Sequence, residues 1–173
     1  MNERKRRILF IDRDGTLIVE PPDEQVDSLE KLQFVPGVVR ALQDLAAAGY
    51  ELVIVSNQDG LGTDSFPVDD FTGPQNKMLE LFASQGVHFS DILVDPHFEH
   101  YNSPNRNPSI GIVLGYPKSV ERELADIWVI ADPETDPRAT YALDPGRVRQ
   151  LAERVVASGE GGTLATETPL TGA

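Results

Sequence analysis

The chain contains no cysteine, so disulfides and thiolate zinc sites are excluded from the start. Basic residues are scarce: 15 Lys and Arg stand against 28 Asp and Glu, a formal charge of -13. A sequence-independent nucleic-acid binder needs a basic stripe, so no nucleic-acid partner is expected, and an anionic substrate must be drawn in by local donors or a cation. Long apolar runs are also missing. The run behind the basic start at Glu3–Arg7 is too short for a signal-peptide core or a membrane-spanning helix. The expectation is a soluble cytoplasmic protein with no membrane partner. Only three histidines are present, and His97 and His100, without soft ligands nearby, read as structural or solvent-facing residues. What remains is ordinary for a globular domain: 173 residues, 40% hydrophobic, enough to bury a core. One domain over 1–157 is expected, with a disordered, Gly- and Thr-rich tail over 158–173.

The most informative stretch is Ile8-Leu9-Phe10-Ile11-Asp12-Arg13-Asp14-Gly15-Thr16-Leu17. Four apolar residues predict a buried strand, and two acids follow where the chain should emerge at the strand's carboxyl end. Side chains at i and i+2 of an extended chain lean the same way, so Asp12 and Asp14 could share a cation. A plain Asx-turn closing the strand is the alternative reading of Asp-x-Asp alone.

The remaining elements alternate. Residues 18–35 are irregular, broken by Pro21-Pro22, and predict a loop over the first strand's end. Pro36-Gly37 opens a helix with Val38, Val39, Leu42, Leu45 and Ala46 inward, closed by Gly49. Glu51–Val55 predicts a second strand, ending in Ser56-Asn57-Gln58-Asp59-Gly60-Leu61-Gly62, whose hydroxyl, amide and glycine turn could hold a phosphate oxygen or simply form a turn. Thr63–Gly73 reads as a polar loop. A helix from Pro74 to Gln85 follows, with Met78, Leu81 and Phe82 inward and Gly86 as its stop. Asp91–Val94 predicts a third strand, 95–109 a long loop, Pro117–Ala125 a helix, and Ile127–Ala131 a fourth strand running into Asp132-Pro133-Glu134-Thr135-Asp136. A short fifth strand or a helical turn over 139–143 and a last helix capped by Asp144-Pro145 complete the pattern. Such alternation predicts an α/β fold with a parallel sheet and helices on both faces. The ends of strands one, two and four would then bring Asp12, Asp14, Ser56, Asn57, Asp132 and Asp136 to one crevice.

The string Asp12-Arg13-Asp14-Gly15-Thr16-Leu17 after a hydrophobic strand resembles the first motif of the haloacid-dehalogenase (HAD) phosphohydrolases. With Glu20-Pro21-Pro22, Gln25-Val26-Asp27, Phe34, Pro36-Gly37, Ser56 to Thr63, Ser65-Phe66-Pro67, Asp70-Phe71 and Gly73-Pro74, the chain resembles the histidinol-phosphate phosphatase family over residues 8 to about 97. That resemblance implies a HAD-like Rossmannoid three-layer sandwich without a large cap domain. It also implies a Mg²⁺-dependent phosphomonoesterase acting on a small phosphorylated metabolite. Asp12 would be the nucleophile and Asp14 the general acid and base. Ser56 and Asn57 would bind phosphate, and Glu20 and Gln25 would face the substrate. Asp12, the main-chain carbonyl of Asp14, and Asp132 would hold Mg²⁺.

Departures from the family pattern fall within residues 95–140. Where the family carries zinc-binding cysteines this chain has Asp95, Ser103 and Asn105, with only His97 remaining, so no structural zinc is expected. Asn107 stands in the place of the family's lysine, leaving Arg106, Lys77 or Lys118 as substitutes, with Arg106 the candidate phosphate ligand. Two function classes therefore stay open. One is the phosphatase. The other is a divergent relative that binds a partner or ligand, or runs a different, metal-independent reaction, in the same crevice.

Overall fold

The computed structural model describes residues 6–98, Tyr101 and 124–130. Strand β1 (Arg6–Asp12) is followed by helix α1 (Val38–Ala47), β2 (Tyr50–Asn57), helix α2 (Val68–Ser84), β3 (Asp91–Asp95) and β4 (Leu124–Ile130). These four strands form a parallel sheet in the order β3-β2-β1-β4. The expected α/β fold with a parallel sheet is thus observed, and no cap domain occurs among the described residues.

Sheet order decides where the helices lie. The chain steps from β1 to β2 to β3 in one direction, and right-handed crossovers then place both connecting helices on the same face. Leu9 and Ile11 of β1 and Leu52 and Ile54 of β2 point to that face. They meet Val38, Leu42 and Leu45 of α1 and Met78 and Phe82 of α2, all buried. Phe82 also takes edge-on contacts from Phe34 and Phe89, at 5.0 and 5.5 Å. The alternate residues Ile8, Phe10, Val53 and Val55 are buried on the opposite face with Leu93 packed against them.

Helix α1 and the Gly49 stop follow the sequence pattern, with Gly49 left-handed (φ 89°) one residue past the cap. Ala41 is buried where Ala46 was expected. The second helix differs more. It begins at Val68, not Pro74, and runs through Pro74. Proline in a helix interior costs about 3 kcal/mol. Asp69 and Asp70 complement the helix dipole in the first turn, and Phe71 packs into the molecule edge-on to Phe66, 6.0 Å between ring centres. Pro74 itself is buried against the core, so tertiary packing offsets the lost hydrogen bond. The inward stripe is then Phe71, Pro74, Gln75, Met78 and Phe82, and Leu81, expected inside, is exposed. Residues 124 and 125, expected to end a helix, belong to β4. The rest of that helix, the fifth strand, the last helix and the 158–173 tail lie outside the described residues.

Residues 18–35 are irregular, as expected, apart from a 3₁₀ turn at Leu29–Lys31. The segment is nonetheless held firmly. Val19 donates to the Gln33 carbonyl (2.8 Å) and Val35 to that of Leu17 (3.1 Å), while Leu17, Ile18, Val26 and Val35 are buried. Each such side chain contributes about 1.5–3 kcal/mol, enough to order a loop without regular hydrogen bonding. No helix among the described residues is long and apolar enough to cross a membrane.

Candidate active site

Strand β1 is central, paired with β2 on one side and β4 on the other, and Asp12 is its last residue. The chain moves outward through β2 and β3, then returns to β4 across β1, so Asp12 sits at the topological switch point of the sheet. After Asp12 the backbone folds sharply. The Arg13 carbonyl accepts from Leu17 (2.9 Å) and Ile18 (3.2 Å), Gly15 takes a left-handed φ of 74°, and its N–H reaches the Ile18 carbonyl at 2.8 Å. This loop sets Asp12 and Asp14 in different surroundings. Asp12 Oδ1 accepts the backbone N–H of Arg13 at 2.8 Å.

Asp14, 8% exposed, joins the ends of β1 and β2. Its Oδ2 accepts from the Ser56 hydroxyl (3.3 Å) and from Gln58 Nε2, which also donates to Ser56 Oγ at 2.7 Å. Oδ1 pairs with Arg13 Nη1 at 2.6 Å. Arg13 is fully buried; its Nε donates to Gln75 Oε1 of α2 (2.8 Å), and its guanidinium lies 5.0 Å from the centre of the Phe71 ring. Arg13 Nη2, Gln75 Nε2 and Thr16 Oγ1 are buried without a hydrogen-bond partner.

Of the residues singled out from sequence, Asp14 and Ser56 are brought into direct contact. Asp12 lies two residues before Asp14 and pairs with Val55, next to Ser56, at the same end of the sheet, and Asn57, half-buried, ends β2. Glu20 and Gln25 are half-buried in the 18–35 loop. Arg106, Asn107, Lys118, Asp132 and Asp136 lie outside the described residues; β4 as described ends two residues before Asp132. Lys77, one candidate for the absent lysine, is instead bonded to Glu80 on the surface of α2 at 3.1 Å. Sequence reasoning missed Gln58, Arg13 and Gln75 as parts of the site.

The oxygens here suit a hard divalent cation. Asp12 supplies a carboxylate, and the backbone bonds of the 13–18 turn use the Arg13 and Ile18 carbonyls rather than that of Asp14. The Asp14 carboxylate, by contrast, is engaged by Arg13, Ser56 and Gln58. Asp12 and the Asp14 main-chain oxygen are therefore the described groups that fit Mg²⁺; no set of three such side chains occurs among the described residues.

Two loops border this end. In the first, Lys31 Nζ reaches Asp23 (2.6 Å), Asp27 (3.0 Å) and the Gln25 carbonyl (3.2 Å), tying together the segment that carries Gln25. Glu24 at its apex has a left-handed φ of 60°. The Lys31 hydrogen bond holds the Asp23 carboxyl below its ordinary value of 3.8, and Asp23, then Asp27, raise the Lys31 amine above 10.5. Asp23, lowered on folding, contributes above its unfolded value and loses that contribution as pH falls through its folded one. Lys31, raised, contributes below 10.5 and loses it as pH rises through its folded value. The tether is exposed and screened by salt, so its effect is local. Methyl NMR signals of Val26 and Leu29 are accordingly expected to hold steady between those limits and shift beyond both. Lys31→Met should give the shifted positions already at neutral pH; unchanged signals in that variant would discard the tether.

In the second loop, Asp95 at the end of β3 accepts the backbone N–H of His97 (3.1 Å) and contacts its Nδ1, while its carbonyl accepts from Gln58 N–H (2.8 Å). Asp95, where the family resemblance implies a zinc-binding cysteine, is thus a buried carboxylate that shapes the turn. Gly60, with φ 73°, lets the Phe98 ring lie against it; a Cβ there would come within 2.5 Å of Phe98 Cζ.

Residues 7–127 match the family described as polynucleotide kinase 3 phosphatase. Curated relatives include the histidine biosynthesis bifunctional protein HisB of Xanthomonas euvesicatoria, 47% identical over 137 residues, and that of Stenotrophomonas maltophilia, 50% identical over 129 residues. The matches cover 79% and 75% of this chain and 36% of each relative, so the chain spans about a third of their length. Among solved structures, the D,D-heptose 1.7-bisphosphate phosphatase of B. bronchiseptica, complexed with magnesium and phosphate, superposes with a TM-score of 0.74 at 19% identity, covering 88% of this chain and 99% of that one. A protein described as a HAD-like phosphatase from Mesorhizobium loti gives 0.68 at 20% identity, over 91% and 90% of the two chains. Those two likenesses concern the fold. By its matched residues, the chain belongs to the polynucleotide kinase 3 phosphatase family.

Proposed function

We propose that this protein hydrolyses a small phosphate monoester through Asp12 and Asp14. The observation that carries the reading is the Asp14 carboxyl, two residues beyond Asp12, buried at the switch point and held by Ser56, Gln58 and Arg13. A structural strand end needs no such cradle. Asp12 attacks phosphorus and forms an aspartyl-phosphate as the ester oxygen leaves; Asp14, having first taken up a proton from solvent, gives it to that oxygen, then takes one from the water that releases phosphate. Ser56, Asn57 and Arg106 bind the phosphoryl oxygens, and Glu20 and Gln25 contact the rest of the substrate. Asp12, the Asp14 carbonyl and Asp132 would hold Mg²⁺, which would supply the positive charge that lets two anions approach.

The name of the matching family supports phosphate ester chemistry, and the formal charge of -13 favours a small substrate over a polynucleotide. Asn107 favours the second reading, binding without turnover, because losing one cationic group at a phosphoryl site costs on the order of 10²–10³ in rate. A panel of sugar, amino-alcohol and nucleotide monophosphates and a 3′-phosphorylated oligonucleotide, with and without Mg²⁺, separates these. Mg²⁺-dependent release from a small monoester is expected. Silence across the panel, with BeF₃⁻ and Mg²⁺ still raising Tm, would favour binding alone.

A further inference from the structure

We infer that Gln75 and Arg13 are positioning residues: α2, through Gln75, fixes the Arg13 guanidinium, which in turn fixes the carboxyl of Asp14. The inference rests on the reading of Asp14 as proton donor. Three contacts immobilise the guanidinium. Gln75 Oε1 takes Nε at 2.8 Å, Asp14 Oδ1 takes Nη1 at 2.6 Å, and the Phe71 ring covers a face at 5.0 Å, itself braced edge-on by Phe66. Gln75 lies 62 residues from Arg13 in sequence and is carried on a helix anchored in the core by Met78 and Phe82. Its position is thus set by packing remote from the strand ends. Ser56 and Gln58 hold the other carboxyl oxygen, so both oxygens of Asp14 have assigned partners.

Stability alone does not account for this arrangement. Gln75 interrupts an otherwise apolar stripe of Phe71, Pro74, Met78 and Phe82, where an aliphatic residue would extend the core. Its Nε2 and Arg13 Nη2 remain buried without partners, a cost that a purely structural contact has no reason to carry. The one bond Gln75 accepts is the one that orients Arg13. A proton donor has to meet the leaving oxygen within hydrogen-bond reach, and a displacement of about 1 Å can cost on the order of 10²-fold.

The test is Gln75→Met, similar in size but without the acceptor, assayed with Mg²⁺ on an alkyl phosphate and on p-nitrophenyl phosphate. An alkoxide must be protonated as it leaves; p-nitrophenolate need not be. Expected are a loss of about tenfold or more in kcat on the alkyl ester, less than about threefold on the aryl ester, and KM within about twofold on both. Gln75→Glu, which keeps an acceptor for Nε, should recover most of the alkyl rate. Should Gln75→Met fail to fold, Gln75→Asn, with its carbonyl drawn back by one methylene, makes the same comparison. An active parent whose alkyl-to-aryl ratio is untouched by the substitution overturns the positioning role alone. A parent inactive on both esters overturns the phosphatase reading and this inference with it.

Discussion

Asp12→Asn is expected to lower phosphate release by at least about 10³-fold on every monoester the parent hydrolyses, while the fold survives. The substitution is chosen because asparagine keeps a carbonyl oxygen where Asp12 Oδ1 accepts the Arg13 N–H at 2.8 Å, so the turn after β1 keeps its first hydrogen bond. What is lost is the charge that makes the oxygen a nucleophile and a cation ligand. A neutral amide oxygen is a poor attacker of a phosphoryl group and a weak partner for Mg²⁺. Phosphate release and thermal melting, measured on the same preparations, separate the two outcomes. Melting within a few degrees of the parent with release near background is the expected pair. Equal release from variant and parent would remove Asp12 from the chemistry.

Arg13→Met is expected to be the most destabilising single substitution near the site. The parent pairs a fully buried guanidinium with a carboxylate only 8% exposed. Removing one member of a buried pair typically costs about 3–5 kcal/mol, because the remaining charge stays desolvated. For a chain of this size each kcal/mol moves Tm by about 2–4 °C, giving a fall of roughly 6–20 °C. Ser56 and Gln58 still donate to Asp14, which places the expectation toward the lower end. Arg13→Lys should fall between the two. Its ammonium can answer Asp14, but a point charge cannot also span to Gln75 and lie flat against Phe71. Denaturant midpoints ranked Arg, Lys, Met would agree; a Met variant melting within about 2 °C of the parent would show that the pair contributes nothing.

Much of the frame could be read from residue order. The fully buried strand at Ile8–Ile11, the Pro36-Gly37 start and the Gly49 and Gly86 stops each have a local cause, and the structure realises each. The acids at the end of β1 were legible because a buried strand has few reasons to end in two carboxylates. Errors came where tertiary contacts outweigh local preference. Pro74 looked like a helix start, yet Phe71 packing carries the helix back to Val68. With the helix begun six residues late, the stripe through Phe71, Pro74 and Gln75 was invisible, and so was Gln75 as a polar residue on an inward face. Arg13 was passed over because an arginine between two aspartates reads as surface charge; only the fold shows it directed inward to α2. Gln58 stood within the quoted Ser-Asn-Gln string, but nothing local says that its amide reaches a residue 44 positions earlier.

The place of β1 between two neighbours bears on how such a protein can change what it acts on. A strand hydrogen-bonded along both edges has no slack, so the Asp12 carboxylate at its end cannot be re-aimed without disturbing the whole sheet. The 18–35 segment, anchored by a few side chains and by Lys31, can be rewritten at its tip at little expense to the rest. Invention is thereby confined to the rim, and the machinery beneath it stays fixed.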